Sequence, residues 1–418
     1  MMAPNDKIKL QNVALVYLEQ PNSSAEEEIC ELKELIRSAL GDVKLFVRQS
    51  RNFADPKTLI GSGKVQELKS AIEILDCEID VVIFSDKLNA LQRKNLQKEL
   101  DVAVIDYVDL ILDIFALRAT TAEGKKQVEL AQLSYSLATR PEKDFSRQGG
   151  GIGTRGPGET QLETDKRIAR NKMHRLRMEL EDIAKQRATT RKKRLDNKVF
   201  TVALAGYTNA GKSTLFNLIT DNNVYADDRL FATLDTTVRK VKLGGMDVLF
   251  CDTVGFIRNL PTMLVDAFKS TLEEVTFADL ILNVCDVSNP NVESHIEVTE
   301  QILAQLNADA PVVRVYNKCD NLQKDESLPF SDSNTPCVYI SAKTGKNVDV
   351  LLDVVEKFVK RNFATVKLKV PYVDNGKVAP MLQKYAAQLS AEYADDYTLY
   401  TATIKRQYLD SFLQYIVI

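Results

Sequence analysis

Hydrophobic positions along this chain keep two rhythms, and the changes between them divide it into four regions. Over residues 12–17, 43–47, 81–84 and 102–105 apolar residues run together, as in strands. Over 25–40, 62–74 and 88–100 they return every three or four positions, as on one helix face. In the first of these helices Ile29, Leu32, Leu35 and Ile36 share that face. Such alternation predicts a small N-terminal α/β domain with a mostly parallel sheet over residues 1–118. Two longer stripes follow: Val128, Leu133 and Leu137 within 121–139, then Ile168, Leu176, Leu180 and Ile183 within 161–195. They can pair as a long antiparallel helical hairpin over 119–197. Its second helix would span about 50 Å at about 1.5 Å per residue. Strand-like apolar runs at 199–205, 248–251, 312–316 and 337–340 mark a third region, 198–363, again with a mostly parallel sheet. The tail, 364–418, reads as strand 366–370, helix 378–393, strand 397–404 and a short last helix, a small C-terminal α/β domain. The expected fold class is therefore α/β multidomain.

Composition narrows this picture. The 418 residues are 44% hydrophobic and 27% charged, ordinary for a soluble protein. The longest apolar stretch, 102–117, is interrupted by Asp106, Asp109 and Asp113, so no membrane span is expected. The first residues carry no signal-peptide pattern, and a cytoplasmic monomer is expected. Cys30, Cys77, Cys251, Cys285, Cys319 and Cys337 form no C-x-x-C pair and read as reduced packing residues. With His174 and His295 the only histidines, a histidine-based metal site or triad is not expected. Net charge is −3, yet 161–195 carries +7.

The third region carries the chemistry. Gly206-Tyr207-Thr208-Asn209-Ala210-Gly211-Lys212-Ser213 fits G-x-x-x-x-G-K-[ST], a phosphate-binding loop between a strand and a helix start. Glycines let the backbone curl so that its N–H groups face an anion, and the helix N-terminus favours negative charge. Lys212 is expected to reach the β/γ-phosphates and Ser213 to ligate Mg2+, with Thr214 lining the same site. Three further motifs close predicted strands, where open α/β sheets bind ligands: Asp252-Thr253-Val254-Gly255, Asn317-Lys318-Cys319-Asp320 and Ser341-Ala342-Lys343. Asp252 is expected to hold Mg2+ through water, and the Gly255 N–H to meet the γ-phosphate. Asp320 offers two acceptors to the N1–H and N2–H2 donors of guanine, which adenine would leave unpaired. Asn317 braces the loops around the base, the Lys318 stem lies along its face, and the Ala342 N–H donates to guanine O6. Four motifs in this order predict a Mg2+-dependent GTPase that binds GTP and GDP, with Lys212, Thr233 and Gly255 as its catalytic residues. Within the first switch segment, Phe231-Ala232-Thr233-Leu234-Asp235, Thr233 is the preferred Mg2+ ligand; Thr236 and Thr237 are alternatives that read more simply as the opening of strand 238–243.

Residues 146–159, between the two hairpin helices, are rich in glycine and carry Arg147 and Arg155. Glycine removes side chains where a backbone must approach another surface closely. Arg147, Gly149, Gly150, Gly151, Arg155 and Gly156 are the candidate RNA contacts; a connector loop and a solvated basic helix are the plainer reading. Gly61-Ser62-Gly63-Lys64 resembles half a phosphate loop but reads as a helix start.

Together the stretches 206–217, 231–235, 252–258 and 149–164 resemble an HflX-family GTPase, a relative of the Obg GTPases. The resemblance implies binding to rRNA of the large ribosomal subunit, with ribosome splitting in some members, and assigns the Mg2+-ligating threonine to Thr233. An RNA-remodelling factor acting off the ribosome, or a signalling GTPase whose hairpin binds protein, would share these motifs. Phe256 stands where many GTPases carry a glutamine that orients the attacking water, so slow intrinsic hydrolysis completed by a partner is expected. Arg258 and Arg239 read as solvated arginines rather than charge stabilisers.

Overall fold

The computed structural model describes residues 10–21, 25–139, 161–195, 199–220, 230–231, 236–258, 269–322 and 335–417. The chain divides into two compact units, the first running to Glu181 and including Leu230 and Phe231. In it a four-stranded parallel sheet has the order β2 (Gly41–Ser50), β1 (Gln11–Glu19), β3 (Val81–Phe84), β4 (Ala103–Asp106). Every residue of β3 is buried, which is why it reads as an unbroken apolar run. Edge strand β2 alternates half-buried and exposed positions along most of its length. Helices α1 (Ala25–Ser38), α2 (Ser62–Ile74) and α3 (Ala90–Leu100) connect the strands. Gly61 precedes α2 in an extended conformation and donates its N–H to Gln49 Oε1 at 2.8 Å, while Lys64 pairs with Glu67. The half phosphate loop is a helix start.

The apolar run 102–117 splits into β4 and a helix, α4 (Tyr107–Arg118), that periodicity does not separate. Val108, Leu110, Ile111, Leu112, Ile114 and Phe115 are all buried, while Asp109, Asp113 and Leu117 share the less buried face, so the apolar run passes from strand into helix without a break. What starts it is Asp106. This fully buried carboxylate accepts N–H bonds from Val108 and Asp109 at 3.0 Å, an N-cap. It also accepts from the Leu88 N–H, the Arg93 guanidinium and the Tyr135 hydroxyl, at 2.9, 2.9 and 2.6 Å. Arg93 is shared with Asp109 at 2.6 Å. Burial, reinforced by the Asp106 charge, raises the pKa of Asp109.

Helix α5 (Ala122–Thr139) meets α6 (Gln161–Leu195) through the ion pairs Lys126–Glu179 and Lys172–Glu129. The buried positions correct the expected stripes. On α5 the buried hydrophobic residues are Val128, Ala131 and Tyr135, with Leu133 and Leu137 half-buried; among the described side chains of α6 they are Ala169 and Leu176, with Ile168 exposed. Spacing shows that a stripe exists, but which of its positions are buried is decided by the elements packed around it.

The second unit contains a six-stranded sheet in the order β10 (Cys337–Tyr339), β9 (Val312–Asn317), β8 (Leu280–Asp286), β5 (Phe200–Ala205), β7 (Met246–Asp252), β6 (Thr237–Leu243). All pairs are parallel except β6 with β7. Its helices are α7 (Lys212–Ile219), α8 (Lys269–Thr276), α9 (Val292–Gln305) and α10 (Val348–Asn362). An antiparallel sheet follows, ordered β12 (Ala386–Tyr393), β13 (Tyr397–Lys405), β11 (Phe363–Pro371), β14 (Ile416–Val417), with α11 (Tyr372–Tyr385) and a 3-10 helix, Arg406–Tyr415. The expected helix 378–393 is thus corrected: α11 begins six residues earlier, and its second half is strand β12. The Ala-, Gln- and Glu-containing segment 386–393 has helical propensity, overridden by its ladder with β13. Lys405 Nζ lies 2.9 Å from both Asp279 oxygens, and Asp279 accepts the Thr201 N–H, tying this sheet to the root of β5. Among the described residues, no helix is long and apolar enough to cross a membrane.

Replacing Asp106 with Ala removes the acceptor of five donors and leaves the buried Arg93 with Asp109 and the Val104 carbonyl. Loss of one partner from a buried pair costs about 3–5 kcal/mol, so the urea midpoint of the first unit should fall sharply. An unchanged midpoint would show that the network does not stabilise it.

Candidate active site

Strand β5 is paired on both sides, with β7 and β8, and buried from position 202 to 205. The chain leaves it through Gly206 at φ +142°, where a Cβ would stand 2.2 Å from Val284 O. It enters α7 through Gly211 at φ +91°, where a Cβ would meet Asn317 Nδ2 at 2.2 Å. Only glycine fits either place. Lys212, almost fully buried, turns back over the loop and donates to Gly206 O at 3.0 Å and Tyr207 O at 2.7 Å. Burial lowers its pKa to about 8, against the opposing pull of Asp252.

The other motifs converge as their strand ends require. Ser213 Oγ donates to Asp252 Oδ2 at 2.8 Å, and Thr253 Oγ1 to Leu204 O at 2.6 Å. Asn317 is the brace: its Nδ2 donates to Ala210 O, and its Oδ1 accepts the Ala342 N–H, both at 2.8 Å. The expected donor to guanine O6 is thus engaged by Asn317. Lys318 stands at φ +64° and pairs with Asp286 at 2.8 Å. Cys319 N–H reaches Ile340 O at 3.2 Å. Asp320 is exposed, with its carboxyl held below the usual range by the Ser341 hydroxyl and, more weakly, by Lys343 and Lys318. Ser341 Oγ also accepts the Thr344 N–H at 3.1 Å.

Phe231 departs from expectation. It belongs to the first unit, buried edge-on against Phe115 at 4.8 Å, while the Leu230 N–H donates to Ser38 Oγ. Thr236 precedes β6 and Thr237 is its first residue, in register with Asp252. Ala232, Thr233, Leu234 and Asp235 lie outside the described residues, as do Arg147, Gly149, Gly150, Gly151, Arg155 and Gly156. Among the described residues no cluster of His, Cys, Asp and Glu could hold a metal by itself. A hydroxyl and a carboxylate converging at 2.8 Å are, however, the hard oxygen donors that Mg2+ takes beside phosphate and water.

Sequence reasoning missed a cluster on one flank of the loop. The Tyr207 ring stacks on His295 at 3.8 Å and 4°, the Arg258 N–H donates to Tyr207 Oη at 3.0 Å, and the Arg258 guanidinium donates to Ser294 Oγ at 2.6 Å. Arg258 is therefore not the solvated arginine expected. No local pattern marks Ser294 or His295; only the packing of α9 brings them here.

Burial, assisted by the Arg258 cation and opposed by Asp286, lowers the His295 pKa to about 4. The unfolded imidazole, near 6.5, then binds more protons than the folded one between pH 4 and 6.5, so this group removes stability as pH falls through that window. Denaturant midpoints of the second unit should fall more steeply from pH 6.5 to 4.5 in the native protein than in His295→Gln. Equal slopes would show that His295 is not buried in its neutral form.

Known proteins match this chain in sequence over most of its length. Family models match residues 26–116 (GTP-binding GTPase N-terminal), 118–194 (GTP-binding GTPase Middle Region) and 201–318 (50S ribosome-binding GTPase). GTPase HflX of Alkalihalophilus pseudofirmus is 48% identical over 357 residues, 84% of this chain and 83% of that protein. GTPase HflX of Escherichia coli K12 is 41% identical over 368 residues, 86% of each. A GTP-binding protein of Sulfolobus solfataricus, solved in complex with GDP, is 23% identical with a TM-score of 0.45, covering 84% of this chain and 99% of that one. With its four motifs, the chain is a GTP-binding, GTP-hydrolysing enzyme, and it belongs to the HflX family of GTPases.

Proposed function

We propose that this GTPase docks on rRNA of the large ribosomal subunit in its GTP state, and that docking accelerates hydrolysis and so release. The observation that carries the reading is Phe256: its side chain is 1% exposed, turned into the core, and unable to align a water. Positioning and charge stabilisation dominate phosphoryl transfer, so a site without a water-orienting side chain is slow until a partner completes it. The family matched over residues 201–318 is described as a 50S ribosome-binding GTPase, which supports the large subunit as that partner. The ion pairs Lys126–Glu179 and Lys172–Glu129 support an antiparallel hairpin of α5 and α6 that presents the Gly-rich run with Arg147 and Arg155 to RNA. The +7 charge of α6 favours phosphate contacts, which position without reading sequence. Such a factor would act in the cytoplasm, as a monomer, in splitting, rescue or assembly of ribosomes.

Each residue then has a role in the cycle. Lys212 exchanges its bonds to Gly206 O and Tyr207 O for the β/γ-phosphates, and the Gly255 N–H meets the γ-phosphate. Asp320 takes the guanine N1–H and N2–H2 donors, while Asn317 holds three loops at one spacing. Ser213, Thr233 and, through water, Asp252 would hold Mg2+, which when bound neutralises charge on the phosphates.

Phosphate release by the purified protein should be slow and should rise at least about tenfold with large subunits, about 1.4 kcal/mol of barrier. Fast turnover by the protein alone would sink this reading, as would unchanged subunit pelleting, with a non-hydrolysable GTP analogue, after residues 149–158 are replaced by a short Ser-rich loop.

Asp320→Asn turns one acceptor into a donor facing guanine. GTP affinity should fall by about 2 kcal/mol, the order of a charge-assisted hydrogen bond, while xanthine nucleotides gain. Equal binding of ATP and GTP by the unmodified protein would exclude Asp320 as the base reader.

A further inference from the structure

Residues 252–258, the second switch segment, lie across the phosphate loop. Thr208 N–H donates to Phe256 O at 2.8 Å and Phe256 N–H to Gly206 O at 3.1 Å, a two-bond parallel bridge. This brings Gly255 against the loop: a Cβ there would stand 2.9 Å from Thr208 Cγ2 and 3.0 Å from Lys212 Nζ. A phosphoryl group held between a main-chain N–H and an ammonium needs a contact of about 2.8 Å on each side, plus its own width. With Lys212 Nζ and the Thr208 side chain this close to the Gly255 Cα, a γ-phosphate received by both groups requires Gly255 to move. The bridge and a γ-phosphate compete for one volume, whereas the diphosphate held by the rest of the loop does not require it.

The flanking cluster keeps the bridge closed. One residue past Phe256, Ile257 is buried; the next, Arg258, is fixed at two atoms, its N–H on Tyr207 Oη and its guanidinium on Ser294 Oγ. Tyr207 is clamped in turn by its stack on His295. Ser294 and His295 both lie in the first turn of α9, outside the four nucleotide motifs. We propose that Ser294 and His295 are positioning residues that latch the second switch segment onto the phosphate loop and thereby set the preference for GDP over GTP. The latch opposes only the triphosphate, because only the γ-phosphate requires Gly255 to move. Weakening it therefore shifts the ratio of the two affinities, whereas general loosening of the site lowers both together.

The test is equilibrium binding of GDP and of a non-hydrolysable GTP analogue to the full chain and to Ser294→Ala and His295→Leu. The inference rests on the reading of residues 206–213 as the nucleotide loop, so Lys212→Ala is measured alongside: loss of both nucleotides supports that reading, and full retention overturns it. For the latch, the analogue-to-GDP affinity ratio should rise about fivefold or more, with GDP binding held, in both α9 variants. An unchanged ratio, or a parallel loss of both nucleotides, overturns the latch. Amide exchange in the unsubstituted protein supplies an independent measure. Thr208 and Phe256 should be protected with GDP and released by the analogue; protection that persists with the analogue bound would also overturn it.

Discussion

One carboxamide holds the nucleotide site together. Asn317, at the end of β9, donates to the carbonyl of Ala210 in the phosphate loop and accepts the N–H of Ala342 beyond β10. The three loops leave separate strands, and nothing in their own backbones fixes the distance between phosphate and base. Both Asn317 bonds are buried, where breaking one leaves a polar group unsatisfied rather than returned to water. The constraint reaches back into the sequence. Gly211 must lack a Cβ because the Asn317 amide would be 2.2 Å from it.

The same economy of space governs the catalytic edge. Lys212 is buried, with its pKa lowered to about 8, and satisfies its ammonium on two carbonyls of its own loop. Phosphate oxygens are better partners for that charge, so nucleotide entry as proposed would exchange neutral acceptors for anionic ones. Switch closure uses the complementary groups: the main chain of Phe256 pairs with Gly206 and Thr208 while its ring fills the core. Phe256 thus contributes packing and backbone pairing, and its side chain aligns no water.

In the first unit Asp106 does by charge what Asn317 does by amide geometry. It ends β4, caps α4 and receives groups from α3 and α5. Such a carboxylate is tolerable in a fully buried position only because each of its lone pairs meets a donor.

Local pattern determined a good deal. The strand ends that carry Gly206, Asp252, Asn317 and Ser341, the exact span of α2 and the burial of β3 were all legible, because periodicity and turn chemistry act over a few residues. Loop chemistry was legible too, since positive φ at Gly206 and Gly211 admits little but glycine. Other features were decided only by tertiary structure. The apolar run of β4 continues into α4, so no boundary between them could be read; segment 386–393 became a strand because β13 lay ready to pair; and Phe231 belongs to the first unit although its motif placed it with the nucleotide. The stack of Tyr207 on His295 joins residues far apart in the chain, and neither carries a local signal of the other. Sequence pattern reports what a segment can do within about two turns or one hairpin. Which of its possibilities is realised depends on surfaces that exist only once distant segments have packed.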